Sequence, residues 1–174
     1  MRQKALFLDR DGVINVEKNY LYKIEDFEFI EGIFELCQHF IDAGYLIFVV
    51  TNQSGIARNY YTEEDFEELT AWMLGVFYEH GIEITHVYHC PHHPDISGAC
   101  SCRKPKPEML LQAAREFDVD LENSIMIGDK ERDIEAGINA GLAQSYLYDG
   151  AKKTDSSKAT KIVTRLDEIW KNRC

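Results

Sequence analysis

Two acids stand close together near the start of the chain: Asp9 and Asp11, in ALFLDRDGVI, follow an apolar run that reads as a buried strand. Residues two apart in extended backbone point the same way. Both carboxylates can therefore face one ligand, one as nucleophile or metal ligand and the other as acid and base. Taken alone, the pair would be a solvated turn after a strand. A second concentration of chemistry lies at Cys90, His92, Cys100 and Cys102, spaced C-x-H and C-x-C with seven residues between the pairs. Three thiolates and one imidazole make a closed tetrahedral set for structural Zn²⁺, with no position left for substrate. His93 is the alternative to His92, and loose thiols in a loop would leave two tight ligand pairs unexplained. Cys37 falls at an apolar helix position and reads as core, and Cys174 is terminal with no role assigned.

Positioning such groups takes strands and helices, and the hydrophobic pattern alternates between the two. Residues 5–8 read as a first strand, 33–44 as a helix stopped by Gly44, and 45–50, apolar on both faces, as a central parallel strand. Thr62 sits where an N-cap belongs, with Glu63, Glu64 and Asp65 in the first turn of a helix reaching about His80. Strands at 82–90, 124–128 and 142–148 alternate with helices at 107–117 and 130–140, and Gly141 closes the second of these. A loop at 149–158 leads to a short strand at 161–164 and a last helix. This order implies one domain over residues 1–174, a doubly wound (Rossmann-like) parallel α/β sheet with helices on both faces. Ligands of such sheets bind outside the carboxyl ends of the strands. Asp9, Thr51 and Asp129 fall at such ends, and Lys104 lies just before a helix, so groups far apart in sequence converge.

The composition narrows the partners. With 45% hydrophobic and 11% aromatic residues the chain is neither disordered nor a membrane protein. The apolar run YLIFVV is too short to span a bilayer, and the N-terminus carries no long apolar segment with a cleavage site, so the cytoplasm is the expected location. A reducing compartment also favours metal over disulfide for the clustered cysteines. The net charge of −11 argues against nucleic acid and anionic membranes, which need a basic face. A small phosphorylated substrate stays compatible, because a few local cations and a metal ion can overcome the global field.

Four segments in order, DRDGVI at 9–14, VVTNQSG at 49–55, CRKP around Lys104 and IGDKERD at 127–133, resemble the motifs of the haloacid-dehalogenase-like (HAD-like) phosphatases across nearly the whole chain. The resemblance implies an aspartyl-phosphate mechanism with Mg²⁺. Asp9 would be nucleophile and metal ligand, Asp129 a second metal carboxylate, and Asp11 a backbone metal ligand whose side chain serves as acid and base. Thr51 would donate to the phosphoryl group and Lys104 would neutralise its charge. Asp133 would either support the metal ligands or face solvent from its helix. Phosphatases of this superfamily usually carry a cap domain. Only about thirty residues separate Asp11 from the second strand, so a capless body with a zinc loop at about 90–102 is expected.

Two subfamilies share that body, the D-glycero-D-manno-heptose 1,7-bisphosphate 7-phosphatases and the histidinol-phosphate phosphatases. The segments DRDGVINVEKNYLYKIEDFEFIEG, VVTNQSGIARNYYTEEDFEELTAWM, YHCPHHP and MIGDKERDIEAG look like the heptose enzymes, with Asn15, Asn19 and Tyr20 matching the first loop. Carried over by position, the implied substrate contacts are Arg10 with its flanking acids, Glu17, Lys18, Asn19, Tyr20, Asn52, Gln53 and Ser54. Arg103 and Lys130 complete the implied set. The seven-residue stretch between the zinc ligand pairs departs toward the histidinol-phosphatase length. The expected substrate is a small phosphorylated sugar on the route to nucleotide-activated heptose, with a monomeric enzyme as the default. A zinc-stabilised binding module with idle phosphatase motifs is the alternative of a different class.

Overall fold

Along each central strand, neighbouring residues belong to opposite faces. In a computed structural model describing residues 1–171, Leu6 and Leu8 pack into one core while Ala5 and Phe7 pack into another. Ile47 and Val49 follow the first pair, and Phe48 and Val50 the second. Such strands, buried on both sides, require helices on both sides. Helices α1 (Ile33–Asp42) and α2 (Glu63–Glu79) cover the first face, and α3 (Glu108–Phe117) and α4 (Glu131–Ala140) the second.

The strands are β1 (Ala5–Leu8), β2 (Leu46–Asn52), β3 (His86–Cys90), β4 (Ile125–Gly128), β5 (Gln144–Tyr148) and β6 (Lys161–Val163), all parallel in the order β3-β2-β1-β4-β5-β6. The order reverses between β1 and β4, where a doubly wound sheet opens a crevice at its carboxyl edge. The first strand of the chain thus becomes the centre of the sheet.

Local signals set the helix ends. Thr62 accepts from the Asp65 N–H at 3.1 Å and Asp65 returns the bond to the Thr62 N–H at 2.9 Å, a reciprocal cap on α2. Two expectations are corrected. The strand expected from residue 82 begins at His86, because Ile82 is buried as part of the approach to the sheet rather than in its ladder. The expected last helix is a 3₁₀ turn, Leu166–Ile169, whose Leu166 and Ile169 reach the core. Cys37 lies in that core, where burial pushes its thiol up to about 12. Cys174 lies outside the described residues.

Candidate active site

The crevice beside β1 holds a cleft of about 310 Å³. Asp9 enters it directly after β1, its N–H donating to the Ile127 carbonyl of β4 at 3.1 Å. Asp129 follows β4. Lys104 arrives from the loop before α3, and Asn52 at the end of β2 clamps its backbone. The Asn52 Oδ1 accepts from the Lys104 N–H at 3.0 Å, and the Asn52 Nδ2 donates to the Lys104 carbonyl at 3.2 Å. The Lys104 Nζ is thereby placed 2.9 Å from Asp9 Oδ1, 2.7 Å from Asp133 Oδ1 and 2.8 Å from the Val50 carbonyl. Asp133 is buried rather than solvent-facing. Its other oxygen accepts from the N–H groups of Asp129 at 3.2 Å and Lys130 at 3.1 Å, at the start of α4.

These groups act on one another strongly because water is excluded. Burial, then the negative charge of Asp133, pushes the Asp9 carboxyl well above the usual carboxylate range, against the opposing pull of Lys104. Burial and Asp133 push Asp129 upward as well. Burial works against charge on Lys104, but Asp133 and Asp9 outweigh it and hold the ammonium above the ordinary lysine value.

The carboxylates of Asp9, Asp129 and Asp133 lie within 4.8 Å of one another. Lys104 and two backbone N–H groups already engage Asp133, which leaves oxygens of Asp9 and Asp129 for a cation. Three acids against one buried ammonium leave local negative charge, and a hard divalent ion with oxygen ligands fits it. Gly12 permits this closeness. Its φ of +91° suits glycine, and a Cβ there would overlap the Asp129 carboxylate.

Asp11 faces the same cleft but has different neighbours. It accepts from Arg10 Nη2 at 3.0 Å, Asn15 Nδ2 at 3.0 Å and Gln53 Nε2 at 3.1 Å. The cleft wall also contains Glu17, Asn19, Tyr20, Ser54, Arg103 and Lys130. Glu17 is raised by burial and by Asp11, and its carboxylate accepts from the Asn19 N–H at 2.8 Å. Asn19 and Tyr20 hold left-handed backbone, with φ of +46° and +60°. For non-glycine residues that conformation is strained and concentrates at functional loops.

Two implied contacts are placed elsewhere, and Thr51 is covered. The Arg10 guanidinium is 1% exposed and turned inward onto Asp11 and the Leu21 carbonyl, so only its backbone is left for a substrate. Lys18 bends away from the cleft to the Asp26 carbonyl at 2.9 Å and Glu28 at 3.5 Å. Thr51 is buried beneath Gln53, whose Nε2 donates to its hydroxyl oxygen at 2.9 Å.

Sequence reasoning gave no role to Arg58, Tyr61 or Arg132, which also line the cleft, and took His93 as the alternative to His92 in the zinc loop. Arg58 and Arg132 lie close enough to Arg103 to depress its guanidinium below the ordinary arginine value, after burial as the larger cause. Arg58 lay inside the QSGIAR segment and Arg132 in the first turn of α4, but neither position carries a local sign of a cleft.

In the cysteine loop, the sulfurs of Cys90, Cys100 and Cys102 lie within 4.8 Å of one another, with Cys100 Sγ 3.6 Å from Cys90 Sγ. The structure gathers three members of the expected four-ligand set. The Cα atoms of Cys90 and Cys102 are 5.6 Å apart, and His92 does not stand in the sulfur cluster. The loop is tied to the cleft from both sides. The His92 carbonyl accepts from Arg103 Nη1 at 3.3 Å, and the Cys90 carbonyl accepts from the Gln53 N–H at 2.8 Å.

Comparison with known proteins agrees with this geometry. The family described as HAD-hydrolase-like matches at residues 101–169. A Campylobacter jejuni D-glycero-alpha-D-manno-heptose-1,7-bisphosphate 7-phosphatase is 56% identical over 88% of this chain and 87% of its own length. A Helicobacter pylori D-glycero-beta-D-manno-heptose-1,7-bisphosphate 7-phosphatase is 52% identical over 83% of each. The crystal structure of a D,D-heptose 1,7-bisphosphate phosphatase from B. bronchiseptica, complexed with magnesium and phosphate, superposes with a TM-score of 0.84 at 29% identity, covering 95% of both chains. The chain therefore belongs to the HAD-like hydrolases, in the family of the D-glycero-D-manno-heptose-1,7-bisphosphate 7-phosphatases.

Proposed function

We propose that the chain removes the 7-phosphate of D-glycero-D-manno-heptose 1,7-bisphosphate in a Mg²⁺-dependent hydrolysis through an aspartyl-phosphate, in heptose and lipopolysaccharide biosynthesis. The observation that carries the reading is Asp9, flanked by Lys104 and Asp129 at the base of a cleft that Asp11 also faces. The Asp9 carboxylate attacks phosphorus, and Asp11 gives a proton to the departing sugar oxygen. Asp11 then takes a proton from the water that cleaves the acyl phosphate and restores Asp9. Lys104 offsets charge on the phosphoryl oxygens, and the Thr51 hydroxyl, which accepts from Gln53 and keeps its own hydrogen, would donate to them. Asp9, Asp129 and the Asp11 backbone carbonyl would hold Mg²⁺, which supplies charge neutralisation when bound.

The cluster of Arg58, Arg103 and Arg132 supports a bisphosphate, because three guanidiniums attract a second phosphate and repel a cationic amine such as histidinol phosphate. The three sulfurs support Zn²⁺ in the reduced loop, with His92 as fourth ligand after rotation toward them. We read the body as capless and as one domain, since a loop, a 3₁₀ turn and α1 fill the interval from Asp11 to β2. No helix among the described residues is long and apolar enough to cross a membrane, and a cytoplasmic monomer is consistent with that.

Phosphate release from heptose 1,7-bisphosphate and from histidinol phosphate, with Mg²⁺ present, tests the reading. We expect kcat/KM to favour the bisphosphate by about 10²-fold, or ~2.7 kcal/mol of transition-state discrimination. Preference for histidinol phosphate would overturn the assignment.

A further inference from the structure

Tyr61 has no place in the phosphatase reading, yet it is 6% exposed and lines the cleft. Its hydroxyl donates to Gln53 Oε1. From the other end of the same amide, Gln53 Nε2 donates to Asp11 Oδ2 at 3.1 Å and to Thr51 Oγ1 at 2.9 Å. We propose that Tyr61 is a positioning residue for proton transfer: its phenol fixes which end of the Gln53 amide faces Asp11. The inference rests on Asp11 being the acid and base proposed above.

The two ends of an amide are nearly equal in shape and opposite in hydrogen-bond character. Either orientation of Gln53 fits the space, but only one presents N–H groups to Asp11 and Thr51. Turned over, the amide would set its carbonyl oxygen against the Asp11 carboxylate, two acceptors facing each other. Gln53 is itself only 3% exposed, so water is poorly placed to substitute for a lost partner. The phenol favours the observed orientation because its buried hydrogen needs an acceptor, and the Gln53 oxygen supplies it. Burial is the main cause that raises its ionisation above the ordinary tyrosine range, so it stays a donor.

The tyrosine is held as firmly as the amide. Its ring stacks on Tyr22, with centroids 5.5 Å apart and planes 13° from parallel. The ring also lies against Gly55, where a Cβ would overlap it. The chain thus gives up a side chain at residue 55 to admit this ring, and the ring delivers one hydroxyl to one amide oxygen. A ring needed only for packing would not require that hydroxyl.

Tyr61→Phe keeps the ring and removes only the donor. The readout is kcat/KM with Mg²⁺ for phenyl phosphate, whose leaving oxygen needs a proton, and for p-nitrophenyl phosphate, whose leaving oxygen hardly does. We expect Tyr61→Phe to lower the phenyl phosphate value about three- to tenfold, the effect of one lost hydrogen bond, and the p-nitrophenyl value much less. In a Gln53→Ala background the same substitution should have no further effect. An equal fall on both substrates would overturn the proposal, as would an undiminished loss without Gln53. Neither aryl ester contains the sugar, so failure here is distinct from failure to turn over heptose 1,7-bisphosphate.

Discussion

Lys104 carries the heaviest single role at the residue scale. Its ammonium is almost completely buried among two carboxylates and a carbonyl, and breaking one partner of such a pair leaves the others uncompensated. Lys104→Met should lower kcat by about 10²–10³ and destabilise the protein by roughly 3–5 kcal/mol. Urea unfolding beside steady-state kinetics checks both, and a variant of unchanged stability would refute the buried-pair account. Asp9, Asp11, Asp129 and Lys104 could be found in the sequence because each follows a recognisable strand or precedes a helix, and strand ends converge in this architecture. Asp133 could not be decided that way, since a first-turn acid looks the same whether it caps a helix in water or grips a buried lysine. Arg58, Tyr61 and Arg132 were missed for a related reason. They reach the cleft through the path of the loop after β2 and the facing of α4, which no short pattern encodes.

At the scale of elements, the cysteine loop matters through its connections. It grips Arg103 by the His92 carbonyl and Gln53 by the Cys90 carbonyl, so its order is transmitted to both sides of the cleft. Reduced protein loaded with Zn²⁺ should gain about 5–10 °C in Tm over the reduced metal-free form. The Cys100→Ser variant should lose most of that gain. Scanning calorimetry with metal analysis is the check, and a Tm indifferent to the ion would remove zinc from the loop's role. The spacing of the cysteines revealed the cluster, whereas the placement of His92 outside it depends on loop backbone that spacing does not report. The strand at 86–90 shows the same limit. Apolar residues from 82 onward report burial, but where the ladder starts depends on the partner strand.

For the molecule as a whole, crowded acids around Asp9 set a dependence on pH and Mg²⁺. Burial and mutual repulsion raise Asp9 and Asp129 in the folded state above their unfolded values. Between those values the folded state binds more protons than the unfolded one, so this contribution to stability grows as pH falls and is lost as pH rises through the folded values. Without Mg²⁺, Tm should therefore rise as pH is lowered from the alkaline side toward the unfolded carboxylate values near about 4. Saturating Mg²⁺ should raise Tm most at the alkaline end, where both carboxylates are free to bind it. Thermal melts over that range with and without the ion decide the matter, and a Mg²⁺ effect that did not grow with pH would contradict it. The strand order also has a consequence for the newly made chain. β1 is synthesised first and soon finds β2, but its other edge waits for β4, about 75 residues later. At ~5–20 residues per second of synthesis that edge stays open for about 4–15 s. Through that interval Leu6, Phe7 and Leu8 offer one unpaired edge to whatever is nearby. A ribosome-bound chaperone would find its work there, and a nascent chain stalled before residue 125 would be a better seed for aggregation than a fragment of an enzyme.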